Sequence, residues 1–180
     1  MTKFSLTILT LATFLFFVGC KNSDKSTTAT TEQTVSTLTA SDKQEIEKEI
    51  SARLDEVIAG AKKLDVEAAA KPYSNDPDFK IVNPDGTVTD FQTMKNSQKE
   101  GFKGLDSMNF HTTKTEYTFL TKDIVICTWI GNNDFQLKSG DKMKIDPYVG
   151  TLVFSKKNNE WKIIYAHETT GQPVKVEPKK

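Results

Sequence analysis

Hydrophobic positions between residues 41 and 171 change their spacing once, and the change divides the chain. Ile46, Ile50, Leu54, Val57, Ile58, Ala61 and Leu64 recur at steps of three and four, the stripe of an amphipathic helix. Ser41, with Gln44 three residues on, has the form of a capping box and predicts where that helix begins; Gly60 predicts a weakness or bend. Asp65 is placed to cap a second short helix, DVEAAAKPY, that ends near Pro72. DFKIVNPDGTV reads as a strand, a tight turn at Asn83-Pro84-Asp85-Gly86 and a brief return strand. Asp90 can cap a third helix with Phe91, Met94, Gln98 and Phe102 on one side and Gly101 and Gly104 marking its end.

From Asp106 the period becomes that of strands. SMNFHTTKTEYTFL, DIVICTWIGNNDFQL, MKIDPYVGTLVFSKK and EWKIIYAHETT are four long runs, separated by turn signals at Lys122-Asp123, Ser139-Gly140-Asp141 and Lys157-Asn158-Asn159. Links this short join antiparallel neighbours. Helices followed by a meander predict an α+β fold, in which a strongly twisted antiparallel sheet wraps around the three N-terminal helices as a cone with an open end. A concave, mostly apolar pocket follows from that shape.

The ends of the chain are of another kind. After Met1-Thr2-Lys3, residues 4–19 carry no charge, the size of a signal-peptide core and short of the ~20 residues a membrane-spanning helix needs. The small residue Gly19 directly precedes Cys20. Val18-Gly19-Cys20 resembles the lipobox of bacterial lipoproteins, which implies cleavage before Cys20 and lipidation of its sulfur; Phe17 stands where an aliphatic residue is usual. An ordinary secretory signal with a chance cysteine is the alternative. Residues 20–40 are half Ser and Thr beyond Cys20 and read as a flexible tether; residues 172–180 read as a polar tail. The expected location is the cell envelope, lipid-anchored, at the outer membrane. If Cys20 carries lipid, Cys127 is a lone thiol in the apolar run DIVICTWI, a buried small hydrophobe rather than a nucleophile. Basic and acidic residues balance at 24 each, with no basic stripe, so nucleic acid is not an expected partner. No metal-ligand spacing occurs and no cofactor is implied.

NPDGTVTDF before the third helix and NNEWKIIYAHETT at the end, within the order just described, resemble the SnoaL-like side of the nuclear-transport-factor-two-like superfamily. Trp161, Lys162, Ile163, Ile164, His167 and Thr169 sit where that family's last strand has a Trp, a basic residue, an aliphatic pair, a His and a small hydroxyl residue. The resemblance implies a cone fold, often dimeric, over nearly all of 41–171. It implies no single activity, because the superfamily spans isomerases, dehydratases, cyclases, ligand binders and assembly domains. The two histidines, His111 and His167, lie on different strands, and no Asp or Tyr maps onto a ketosteroid-isomerase-like or scytalone-dehydratase-like site.

The candidate pocket residues are Tyr73, Phe79, Phe91, Trp129, Tyr148, Tyr165, His167 and Glu168. Core packing is the alternative role for each aromatic. On the last strand, Trp161, Ile163, Tyr165, His167 and Thr169 share one face, and Ile164, Ala166 and Glu168 the other. One of His167 and Glu168 therefore points into the cone and the other out, unless a bulge intervenes. Three function classes follow: a lipoprotein binding a small apolar or amphipathic ligand in the cone, an enzyme acting on such a molecule by proton transfer, or a module that pairs with itself or another envelope protein.

Overall fold

The computed structural model describes residues 38–177; the predicted signal segment and Cys20 lie outside them. Among the described residues, three helices, α1 (Ala40–Lys62), α2 (Val66–Ala70) and α3 (Phe91–Lys103), precede or interrupt a seven-stranded sheet. Its strands are β1 (Lys80–Val82), β2 (Val88–Thr89), β3 (Leu105–Phe119), β4 (Ile124–Leu137), β5 (Lys142–Lys157), β6 (Glu160–Thr170) and β7 (Val174–Lys175). The order is β2-β1-β6-β5-β4-β3 with β7 against β5. All pairs are antiparallel except β1 with β6. This is the α+β cone expected from the chain's periodicity.

Two local readings need correction. The cap of α1 is Thr39, not Ser41: Thr39 Oγ1 accepts from Asp42 N at 3.1 Å and Asp42 accepts from Thr39 N at 2.9 Å. The carboxylate of Asp42 answers the positive helix terminus better than a neutral glutamine amide can. Leu64 is not on the helical stripe. It turns left-handed (φ 55°), and Leu64 N and Asp65 N bond back to the carbonyls of Ala61 and Gly60, a Schellman closure. Asp65 and Asp90 cap α2 and α3 as predicted, accepting from Ala68 N and Thr93 N. The end of the chain also differs from a plain tail. β6 stops at Thr170, opposite Tyr148, which leaves the start of β5 with a free edge, and β7 pairs there with Met143 and Lys144.

α1 lies across the sheet and is fixed to it at two points. Ser51 Oγ and Tyr117 Oη are 2.7 Å apart, and Glu49 accepts from Lys156 Nζ at 2.7 Å and from the indole N–H of buried Trp161 at 2.6 Å. Between these points Ile46, Ile50 and Leu54 meet Val125, Cys127, Phe154 and Ile163 in one core. The sheet bends through register shifts: one extra residue on β3 at Asp106 and another at Thr113, a mismatch across Asn132 of β4, and Ile164 on β6.

α1 runs through Gly60 to Lys62. A Cβ at Gly60 would overlap the backbone of Ala69, so the glycine lets α2 cross against α1. Helix propensity alone makes Gly60→Ala stabilising by nearly 1 kcal/mol. The crossing reverses the sign: Gly60→Ala is expected to destabilise the protein by about 1–3 kcal/mol in chemical denaturation, the range for overpacking.

Candidate functional site

The site is decided by Ile164. Val153 pairs with Tyr165 and Phe154 with Ile163, so Ile164 is an extra residue without a partner. Side chains alternate along a strand, and one inserted residue reverses the alternation beyond it. Trp161 and Ile163 are buried before the bulge, and Ala166 is buried after it. Tyr165 and His167 consequently turn outward and are exposed, while Glu168 turns inward.

Two adjoining cavities, of about 70 and 390 Å³, occupy the cone and share Val57, Tyr73, Phe110, Tyr148 and Glu168 in their walls. Trp129, Phe110 and Tyr148 meet edge to face at 5.4–5.9 Å and form an aromatic wall. The Trp129 indole donates to Thr112 Oγ1 at 2.9 Å, which leaves its ring free to serve as apolar surface. Gly131 underlies that ring, because a Cβ there would strike it. Gly150 stands opposite Glu168 on β5 with nothing within 4 Å of where a Cβ would lie, so it keeps space open beside the carboxylate.

Glu168 is the acid of this interior. Burial pushes its carboxyl above the ordinary range, and the Tyr148 hydroxyl offsets that in part; among the described residues no cation does. Burial, then Glu168 itself, holds the Tyr148 hydroxyl well above its ordinary value, and Tyr73 is raised by the same two causes. Asn133 and Gln98 add amides to the larger cavity, and Asn133 Oδ1 and Gln98 Oε1 are buried without a hydrogen-bond partner among the described residues. A buried polar atom left this way costs about 1–3 kcal/mol.

The other candidates lie elsewhere. Phe79 is core, 1 % exposed, packed edge to face between Tyr73 and Phe91 at 5.8 and 6.2 Å. Phe91 starts α3 and borders an outer hollow beside Asn75 and Lys95 rather than the cone. His111 bonds Asp134 at 2.9 Å on the exposed surface, so this pair is not in the cone. Cys127 is fully buried, and its thiol is pushed up to about 12 by that burial, which removes it as a nucleophile at neutral pH. Among the described residues, no group of three or more His, Cys, Asp or Glu side chains could hold a metal ion, and no helix is long and apolar enough to cross a membrane.

The family described as the SnoaL-like domain matches residues 50–170. The chain belongs to it. Solved structures repeat the fold at low identity. A proposed scytalone dehydratase from Novosphingobium aromaticivorans superposes with a TM-score of 0.69 at 10% identity, over 78% of this chain and 94% of that one. A hexachlorocyclohexane dehydrochlorinase from Novosphingobium barchaimii gives 0.64 at 12%, over 77% and 94%. A nuclear-transport-factor-two-like superfamily protein from Salmonella enterica gives 0.64 at 12%, over 72% and 94%. No curated protein matches the chain.

Of the predicted pocket residues, Tyr73, Trp129, Tyr148 and Glu168 come together within this SnoaL-like cone. Sequence reasoning missed Phe110, Asn133, Gln98 and Gly150. A polar pair, Asn132-Asn133, inside an otherwise apolar strand was the available signal for Asn133. Glu168 generates a pH prediction. Its folded-state value lies above the unfolded one, so between the two the folded protein binds more protons and stability falls as pH rises. Glu168→Gln is expected to be more stable than wild type at neutral pH. The difference should shrink as pH falls from the raised folded-state value towards the ordinary glutamate value of 4.5, and should stay small below it. Thermal unfolding across pH checks this, and the capped surface acids, which shift downward, cancel in the comparison.

Proposed function

We propose that this chain is an envelope lipoprotein whose SnoaL-like domain takes a small, largely apolar ligand into the cone, with Glu168 as the main polar contact. The observation that carries the reading is a carboxylate turned into an apolar, aromatic-walled cavity; among the described residues it is the single acid in those walls, with no basic residue beside it. Apolar burial supplies affinity and few polar groups supply orientation. Lipidation at Cys20 rests on the sequence: the apolar core is too short to span, and two acyl chains exceed what stable anchoring needs.

A second reading is favoured by the carboxyl's raised value beside two tyrosines. Glu168 would take a proton from the ligand as general base, and a Tyr148 or Tyr73 hydroxyl would hydrogen-bond the oxygen where charge develops. Structural neighbours described as a dehydratase and a dehydrochlorinase make proton abstraction a natural chemistry for the fold, at identities that carry the fold alone.

The neutral dye Nile red tests the cone. Gly150→Leu fills the space beside Glu168 and should weaken dye binding tenfold or more, about 1.4 kcal/mol. His167→Ala, on the outer face, should leave binding unchanged. Equal binding by wild type and Gly150→Leu would place the site outside the cone. If Glu168→Gln keeps a co-purifying ligand bound but unconverted while wild type converts it, the enzyme reading replaces the binding one.

Cys20→Ser tests the anchor. In a detergent phase-partition assay the wild type should enter the detergent phase and the variant the aqueous phase. A variant that stays with detergent while lacking lipid rules out the lipoprotein reading.

A further inference from the structure

The larger cavity has a second polar pole. Asn133 is 1 % exposed and its Oδ1 meets no donor; Gln98 Oε1, contributed by α3, is in the same state. Asn83 borders the same cavity and is by contrast held by Thr87 and Thr89. Buried amides are nearly always paired in folded proteins, so two left open on one cavity mark where a guest's polar group would supply the missing bonds.

The two poles are well separated. Glu168 opposes Gly150, Gly150 opposes Trp129, and Asn133 lies four residues beyond Trp129 on β4. Four strand residues span ~13 Å and two strand spacings ~10 Å, so on a flat sheet Glu168 and Asn133 would be ~16 Å apart between Cα atoms. The curvature of the sheet brings them closer. Rings of Trp129, Phe110 and Tyr148 occupy the wall between.

Charge narrows the guest further. Among the described residues, no Lys, Arg or His lines either cavity. A carboxylate or phosphate would be buried near Glu168 without a counter-charge, which is unfavourable twice over, by desolvation and by repulsion. A hydroxyl group meets both poles: it donates to a carboxylate, and it can donate to or accept from an amide whichever way that amide is turned. Resting on the cone as the binding site, we infer that its ligand is a neutral, elongated hydrophobe carrying a hydroxyl group at each end. Glu168 holds one hydroxyl, and the Asn133 and Gln98 amides hold the other.

Three probes of one skeleton test this on the full-length protein by calorimetry: para,para′-dihydroxybiphenyl, para-hydroxybiphenyl and biphenyl-para-carboxylate. The diol should bind about tenfold tighter than the mono-ol, and the carboxylate weakest. Asn133→Leu should abolish the diol's advantage over the mono-ol. It should also raise the thermal midpoint of the ligand-free protein, because an unpaired buried amide has been replaced by an apolar side chain of similar size. Gln98→Met, at the less buried of the two positions, should reduce the diol's advantage even if Asn133→Leu fails to fold. A carboxylate that binds best, a diol no tighter than the mono-ol, or an advantage that survives both substitutions overturns the inference while leaving the cone as a site. An Asn133→Leu protein that folds but is less stable than wild type overturns it as well, since Asn133 then serves the fold. If Nile red binding is also insensitive to Gly150→Leu, the underlying reading of the cone fails with it.

Discussion

One unpaired residue, Ile164, governs what this domain can do. The insertion reverses the alternation of β6, so that Trp161 and Ile163 face the core at one end and Ala166 and Glu168 face inward at the other. Without it, His167 would enter the cone and Glu168 would sit in water. The consequence is energetic as well as geometric. A carboxylate placed among aromatic rings loses hydration that Tyr148 restores only in part, and its charged form is disfavoured. The fold thus carries an interior acid that no cation among the described residues offsets.

The rest of the molecule keeps that arrangement rigid. α1 packs its apolar stripe against the sheet. Its position is fixed by Glu49 on Trp161 and Lys156, and by Ser51 on Tyr117. Trp161 therefore has a structural task, burying its ring and donating its N–H to the helix, on the same strand that presents Glu168 seven residues later. Glycines open the space where side chains would close it. Gly60 admits α2, Gly131 admits the Trp129 ring, and Gly150 leaves the volume beside Glu168. An apolar interior with few polar groups suits recognition by shape and by a small number of hydrogen bonds.

Much of the fold was legible because periodicity and turn chemistry agree along the chain. The four long strands, the Asn83–Gly86 turn and the caps at Asp65 and Asp90 follow from local rules, and local rules hold there. The start of α1 lies two residues before the Ser41 pattern because two overlapping cap patterns compete and the charged one wins. The site was legible only in part. Tyr73, Trp129 and Tyr148 are large, amphipathic and correctly phased. Phe79 and Phe91 look the same in sequence but pack on the far side of Tyr73. The choice between His167 and Glu168 could not be made from alternation, because a bulge depends on how β5 and β6 match and leaves no mark on β6 alone. Gly150 was invisible for a related reason: its role is the space it leaves.

The central claim is that Glu168 lies inside the cone as its interior acid. Carbon-13 NMR titration of the glutamate side-chain carboxyls, with Glu168 assigned by comparison with Glu168→Gln, tests it most directly. The account predicts that the Glu168 signal titrates above the ordinary glutamate range, and above exposed Glu100 and Glu160, whose lysine partners hold them low. A Glu168 signal that titrates at or below those surface carboxylates would mean that the residue is solvated or paired with a cation, and would contradict the account.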